Sequence, residues 1–111
     1  MALATATIKN ALATAYGTAA THAALYTTVP GGSAGTEVTG GSYARKALTW
    51  GSAVAGVISA TVTFDVPAGV TVAGAGVHSG TTAGYLDGGT VTAQAFATAG
   101  TYTLTITTTV S

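Results

Sequence analysis

Ten consecutive residues, VISATVTFDV from Val57 to Val66, alternate in character without a break. Ile58, Ala60, Val62, Phe64 and Val66 fall on one side, and Val57, Ser59, Thr61, Thr63 and Asp65 on the other. Apolar positions on a helix recur every three or four residues, so a period of two dictates a half-buried strand instead. TYTLTITTTV near the C-terminus repeats the pattern, with Tyr102, Leu104, Ile106 and Val110 set against threonines. Two strands that each bury one face require a second layer to cover them, which points to a sandwich or a small barrel.

The rest of the chain supplies that layer. HAALYTTV has strand composition and ends in Pro30-Gly31-Gly32. After the turn Pro67-Ala68-Gly69, VTVAGAGVH resumes as a strand, but its apolar side shifts near Gly74 from Val70 and Val72 to Ala73, Ala75 and Val77. Such a phase change at a glycine predicts a bulge or a close backbone approach. Asp87-Gly88-Gly89 is a hairpin signal joining GYL to TVTAQAFA. Six or seven strands at intervals of roughly 8 to 12 residues predict a mainly β fold: a single antiparallel β-sandwich, Ig-like or jelly-roll-like. Its expected core includes Ile58, Val62, Phe64, Val66, Tyr102, Leu104 and Ile106.

Ahead of the strands, Ala4, Ile8, Leu12 and Tyr16 recur every fourth residue in an alanine-rich stretch. This predicts a short helix over residues 3–16, stopped by Gly17. An isolated helix of that length is marginal in water, so its apolar stripe must dock on something, whether on this chain or on another. The expected organisation is therefore a helical docking arm over 1–22 and a sandwich over 23–111. The segment MALATATIKNALATAYG has no basic region ahead of an apolar block, so it does not read as a secretory signal.

Charge narrows the function classes. Only 5% of the residues are charged, where about 25% is usual, and the formal net charge is zero. A neutral surface does not gather an anionic partner, which argues against nucleic acid and against a charged membrane surface. Threonines interrupt every apolar run before it could cross a bilayer. With no cysteine there are no disulfides, thiolate metal sites or thiol nucleophiles.

The chemistry-bearing residues do not assemble into a known pattern. His78-Ser79 lacks the surroundings of a nucleophile elbow, and neighbours on a strand point to opposite faces. Asp65 and Asp87 are a conceivable carboxylate pair, but each has an ordinary structural role, one on a polar strand face and one in a turn. No histidine or aspartate pair has metal-ligand spacing, and the glycines at 74, 76 and 80 precede no helix that could hold a phosphate. Thr-x-Thr repeats resemble ice-binding arrays only superficially, since a solvated strand face looks the same. The expectation is a non-enzymatic chain with no cofactor and no metal.

The segment TEVTGGSYARKALTW, Thr36 to Trp50, gathers three of the six charged residues beside the only tryptophan. Gly40-Gly41 predicts a turn, followed by a strand with Tyr43, Arg45, Ala47 and Thr49 on one face and Ala44, Lys46, Leu48 and Trp50 on the other. Leu48 and Trp50 then belong to the core, and Glu37 with Arg45 forms an ion pair across a loop or between subunits. Exposed Tyr43, Trp50 or Tyr85 could alternatively serve as stacking platforms for a host-surface glycan.

The segments MALATATIKNALATAY, LYTTVPGGSAGTEVTGGSYARKALTW, TFDVPAGVTVAGAGVHSG and ATAGTYTLT, in this order over nearly the whole chain, resemble small structural proteins of tailed bacteriophages, particularly those of actinobacterial hosts. EVTGGSYAR-K-x-x-x-W is the most specific block. The resemblance implies a virion component, a tail-fibre or minor tail protein, assembled in the host cytoplasm and docked on major capsid or tail proteins, with no catalytic residues. The chain ends at Ser111 without Gly-X-Y repeats or heptads, so capsid decoration is expected as readily as a fibre. Many neutral copies can sit side by side, which predicts a homo-oligomer in a symmetric assembly, with Ile8, Leu12, Tyr16, Glu37, Arg45 and Lys46 at its interfaces.

Overall fold

The computed structural model describes residues 4–81 and 84–110. A helix, α1 (Ala6–Ala19), precedes six strands: β1 (His22–Tyr26), β2 (Lys46–Ala47), β3 (Val57–Val66), β4 (Val70–His78), β5 (Tyr85–Phe96) and β6 (Gly100–Thr109). One sheet has the order β2-β1-β4-β5 and the other is the pair β3-β6; every pairing is antiparallel.

The two sheets share one core. Ala23 and Leu25 of β1, Val72 and Ala75 of β4 and Phe96 of β5 meet Phe64 and Val66 of β3 and Tyr102 and Leu104 of β6, with Val38 closing the cluster from the β1–β2 loop. This is a mainly β sandwich of four strands on two, behind an N-terminal helix. Val62 and Ile106 pack against the core but are only half-buried.

The alternation in β3 sets its burial: Ile58, Ala60, Phe64 and Val66 are inside, while Ser59, Thr61, Thr63 and Asp65 are exposed. β3 and β6 pair in unbroken register from Val57↔Thr109 to Val66↔Gly100. On their outer face the hydroxyls meet across the strands, Ser59 with Thr107 at 3.0 Å and Thr61 with Thr105 and Thr63 with Thr103 at 3.1 Å each.

The expected irregularity in β4 is present. Register passes from Val72↔Gln94 to Gly74↔Thr90, so residues 91–93 of β5 stand opposite Ala73 alone. This lets Val72 and Ala75 face the same core despite their odd spacing.

Three expectations fail. Asp87-Gly88-Gly89 is not a turn but part of one continuous strand, paired with Val77, Gly76 and Ala75. Gly88 makes room for packing on the sheet surface: a Cβ there would lie 2.7 Å from Pro30 and 2.8 Å from the Tyr85 hydroxyl, and one at its β4 partner Gly76 would lie 2.9 Å from the Tyr26 ring. Nor does Gly17 stop the helix, which runs on to Ala19; the glycine is there because Trp50 and Ile58 pack at 3.1 to 3.3 Å from where its Cβ would be. The helix begins at Ala6 with Thr5 as its cap, the Thr5 hydroxyl accepting from the Ile8 N–H, while the expected start at Leu3 lies outside the described residues.

The strand expected after Gly40-Gly41 shrinks to the two residues of β2. Strict alternation breaks between Arg45 and Lys46, so that both Tyr43 and Leu48, expected on opposite faces, pack against the same core. The cause is the anchoring of Tyr43 and Arg45 by side-chain bonds rather than by a ladder.

Candidate functional site

The corner built by Thr36–Arg45 is a dense polar cluster. Val38 N–H donates to the Leu25 carbonyl at 3.0 Å, and Tyr26 bridges to Glu37, which seats the loop on the edge of β1. From there the Glu37 carboxylate receives Arg45 in a fork, Nη2 at 2.8 Å to one oxygen and Nε at 3.0 Å to the other. The Tyr43 hydroxyl donates to Glu37 at 2.9 Å and accepts from the Leu25 N–H at 2.9 Å, while Arg45 Nη1 reaches the Gly80 carbonyl at 3.1 Å.

The electrostatics follow from this geometry. Burial alone would raise the Glu37 carboxyl, but the bonds from Arg45 and Tyr43 outweigh it and hold the group below the usual carboxylate range. Arg45 is held more firmly protonated by its bonds to Glu37. The Tyr43 hydroxyl is pushed far up, first by burial and then by its carboxylate neighbour. The pair lies within one chain, across a loop, and fixes three segments to one another. Lys46 takes no part in it, sitting in β2 opposite Ala23.

Beside the corner lies an aromatic box. His78, almost fully buried, is hydrogen-bonded through Nε2 to the Tyr26 hydroxyl. Its ring meets Tyr85 edge-on at 5.6 Å, and Tyr85 also meets Tyr26 edge-on. The Tyr85 hydroxyl donates to the Gly31 carbonyl at 2.6 Å, and burial lifts the Tyr26 hydroxyl to about 12. Sequence reasoning missed this cluster, because only strand register brings residues 26, 78 and 85 together. The same register sets His22 opposite His78, with His22 Nδ1 at 2.9 Å from the Thr21 hydroxyl.

The helix forms the third feature. Trp50 Nε1 donates to the Ala20 carbonyl at 2.8 Å and its ring stands edge-on to Tyr16 at 5.9 Å. Tyr16 donates to Asp87 Oδ2 at 2.9 Å, and burial together with that bond raises its hydroxyl to about 12. Asn10 accepts the Gly56 N–H at 2.8 Å. Ala13 is the buried residue of α1, so the helix docks through Asn10, Ala13, Tyr16 and Gly17. Ile8 and Leu12, which share the expected stripe with Tyr16, instead face outward at 43% and 44% exposure.

Of the six expected interface residues, then, Ile8 and Leu12 are outward, Tyr16 is half-buried in the helix dock, Glu37 and Arg45 are paired with each other, and Lys46 stands apart in β2. Tyr43, Trp50 and Tyr85, the candidate stacking platforms, all have their polar atoms bonded within the chain. Asp65 and Asp87 lie on different sheets. Among the described residues no group of three or more His, Asp or Glu side chains converges as a metal site would, and no helix is long and apolar enough to cross a membrane. Comparison with family models, curated proteins and solved structures gave no match.

Proposed function

We propose that this chain is a structural, non-enzymatic component of a tailed-bacteriophage virion: a small β-sandwich docked on major capsid or tail proteins, as capsid decoration or as a minor tail component. The observation that carries the reading is the helix. One face of α1 is fixed to the sandwich by Asn10, Ala13, Tyr16 and Gly17, while Ile8 and Leu12 stand outward one turn apart. A rigidly mounted apolar pair suits recognition of a groove on a neighbouring protein. The resemblance of the chain to actinobacteriophage virion proteins, and a charge content low enough for copies to crowd on a lattice without repulsion, support the same reading.

Immunogold electron microscopy of phage particles from lysates containing this chain tests it. Label on capsid or tail is expected, and substitution Leu12→Asp should reduce particle-bound protein at least about tenfold, the equivalent of burying one unpaired charge at modest cost. Particles free of label at every position would overturn the proposal.

A further inference from the structure

Each sheet edge of the sandwich is protected, with one exception. β2 is two residues long and carries Lys46. On β3 the outer edge is covered by the preceding segment, where Gly51 N–H donates to the Ser59 carbonyl at 3.0 Å and Val54 and Val57 exchange both backbone bonds. β5 is broken by two register shifts; its Gly88 N–H is held by Asp87 and its Thr92 carbonyl by the Tyr102 hydroxyl. These are the devices by which proteins blunt exposed edges.

β6 has none of them. Gly100–Thr109 contains no charge and no proline, its register with β3 has no bulge, and among the described residues β3 is its only strand neighbour. The bond from Val110 N–H to the Gly56 carbonyl fixes the phase of the ladder. Hydrogen-bonded pairs then fall on the even residues of β6, so the N–H and C=O of Thr101, Thr103, Thr105, Thr107 and Thr109 point away from β3. The outward Ser59 carbonyl, opposite Thr107, agrees with this phase. Among the described residues no hydrogen bond reaches those five threonines' backbone groups. Beside the edge lies an open groove of about 270 Å³, where Gly88 and Gly89 present no side chains opposite Leu104 to Thr108.

We infer that the free edge of β6 is a self-association seam, on which β6 of a second copy pairs antiparallel about a two-fold axis midway between the two copies of Thr105. A second copy fits because the edge is its own complement. With Thr105 opposite its equivalent, Thr103 meets Thr107 and Thr101 meets Thr109, which gives five hydrogen-bonded pairs and ten backbone bonds, as many as a whole typical interface supplies. On the inner side Leu104 meets Ile106. The hydroxyl rows that already pair Thr103, Thr105 and Thr107 with β3 continue across the axis, and the two-stranded sheet becomes four-stranded, past the size at which sheets gain independent stability. An uncharged edge in a chain of zero net charge meets its copy without repulsion. The seam is about 34 Å long at ~3.4 Å per residue and narrow, so it buries less than the ~1,200 Å² of a standard stable interface; the pairing is transient in dilute solution and firm where many copies are held together.

Because the chain has no cysteine, engineered thiols report the register directly. Under mild oxidation Thr105→Cys should give a disulfide dimer, since paired Cα atoms at about 5.5 Å suit the bond. Thr103→Cys should stay monomeric, its equivalent lying four residues away along the seam, whereas the double variant Thr103→Cys/Thr107→Cys should crosslink again. Circular dichroism confirms that each variant is folded. Equal crosslinking of the two single variants would mean random collision. A folded Thr105→Cys that never dimerises would mean that the edge serves another chain or stays in water. Either result overturns the proposal. A two-fold pair in solution does not depend on the virion reading, so a failed crosslink and an unlabelled particle are separate outcomes.

Discussion

Glu37 ties Tyr43 and Arg45, which lie in no strand, to the edge of β1 on which its own segment is seated by backbone bonds. Its carboxylate takes the Arg45 fork and the Tyr43 hydroxyl, and that hydroxyl in turn accepts from the Leu25 N–H of a core strand. Substitution Glu37→Gln leaves Arg45 without its charged partner and should cost about 1–3 kcal/mol at neutral pH. The pH dependence has a definite sign. Because the folded carboxyl sits below its unfolded value of about 4.3, its contribution is present above that value and is lost as pH falls through the folded pKa. Urea midpoints of wild type and variant should therefore differ at pH ~7 and draw together as pH falls below about 4.3; a gap independent of pH would show that the charge contributes nothing. The Glu37–Arg45 pairing was legible in the sequence, because Glu37 is the only glutamate and Arg45 the only arginine, eight residues apart. The role of Tyr43 was not, since its target is a backbone group whose position depends on the path of the loop.

At the scale of elements, what could be read was what periodicity alone determines. The inward and outward faces of β3 and β6 follow from alternation, and the phase shift at Gly74 marks the place where β5 bulges. What could not be read was the use of small residues for space. Gly17, Gly76 and Gly88 carry the same local signal as helix stops and turns, yet each is there because a ring or a proline packs where its Cβ would be. The distinction lies entirely in a distant neighbour. Gly17→Ala tests it in the helix. Alanine would gain about 1 kcal/mol of helix propensity, but its Cβ would fall 3.1 Å from Trp50 and 3.3 Å from Ile58. Trp50 cannot easily retreat, tethered by its bond to the Ala20 carbonyl and set against Tyr16. Overpacking at about 1–3 kcal/mol should win, giving a net loss of stability and a red shift of tryptophan emission. A more stable variant would mean that the dock between α1 and β3 is loose.

Over the whole molecule, the six charged side chains cancel almost locally. Glu37 and Arg45 neutralise each other, which leaves Lys9, Lys46, Asp65 and Asp87, two of each sign, spread over the helix and three different strands. Neither proposed contact uses them: the helix presents Ile8 and Leu12, and the β6 seam presents backbone groups and threonines. Attachment should then depend on apolar contact and backbone pairing, both of which persist when charges are screened. Raising sodium chloride from about 0.1 M to about 1 M shortens the screening length from ~10 Å to ~3 Å, enough to weaken any interface assembled by complementary charge. The fraction of chain retained on particles, and the yield of the Thr105→Cys dimer, should each change by less than about twofold over that range. Internal stability should follow the same rule, since Glu37–Arg45 is part-buried and joined at close range by two oxygens, a geometry that salt screens poorly. Release of the chain from particles by salt, with the fold intact, would instead place the attachment on Lys9, Lys46 or the aspartates and remove Ile8 and Leu12 from the contact.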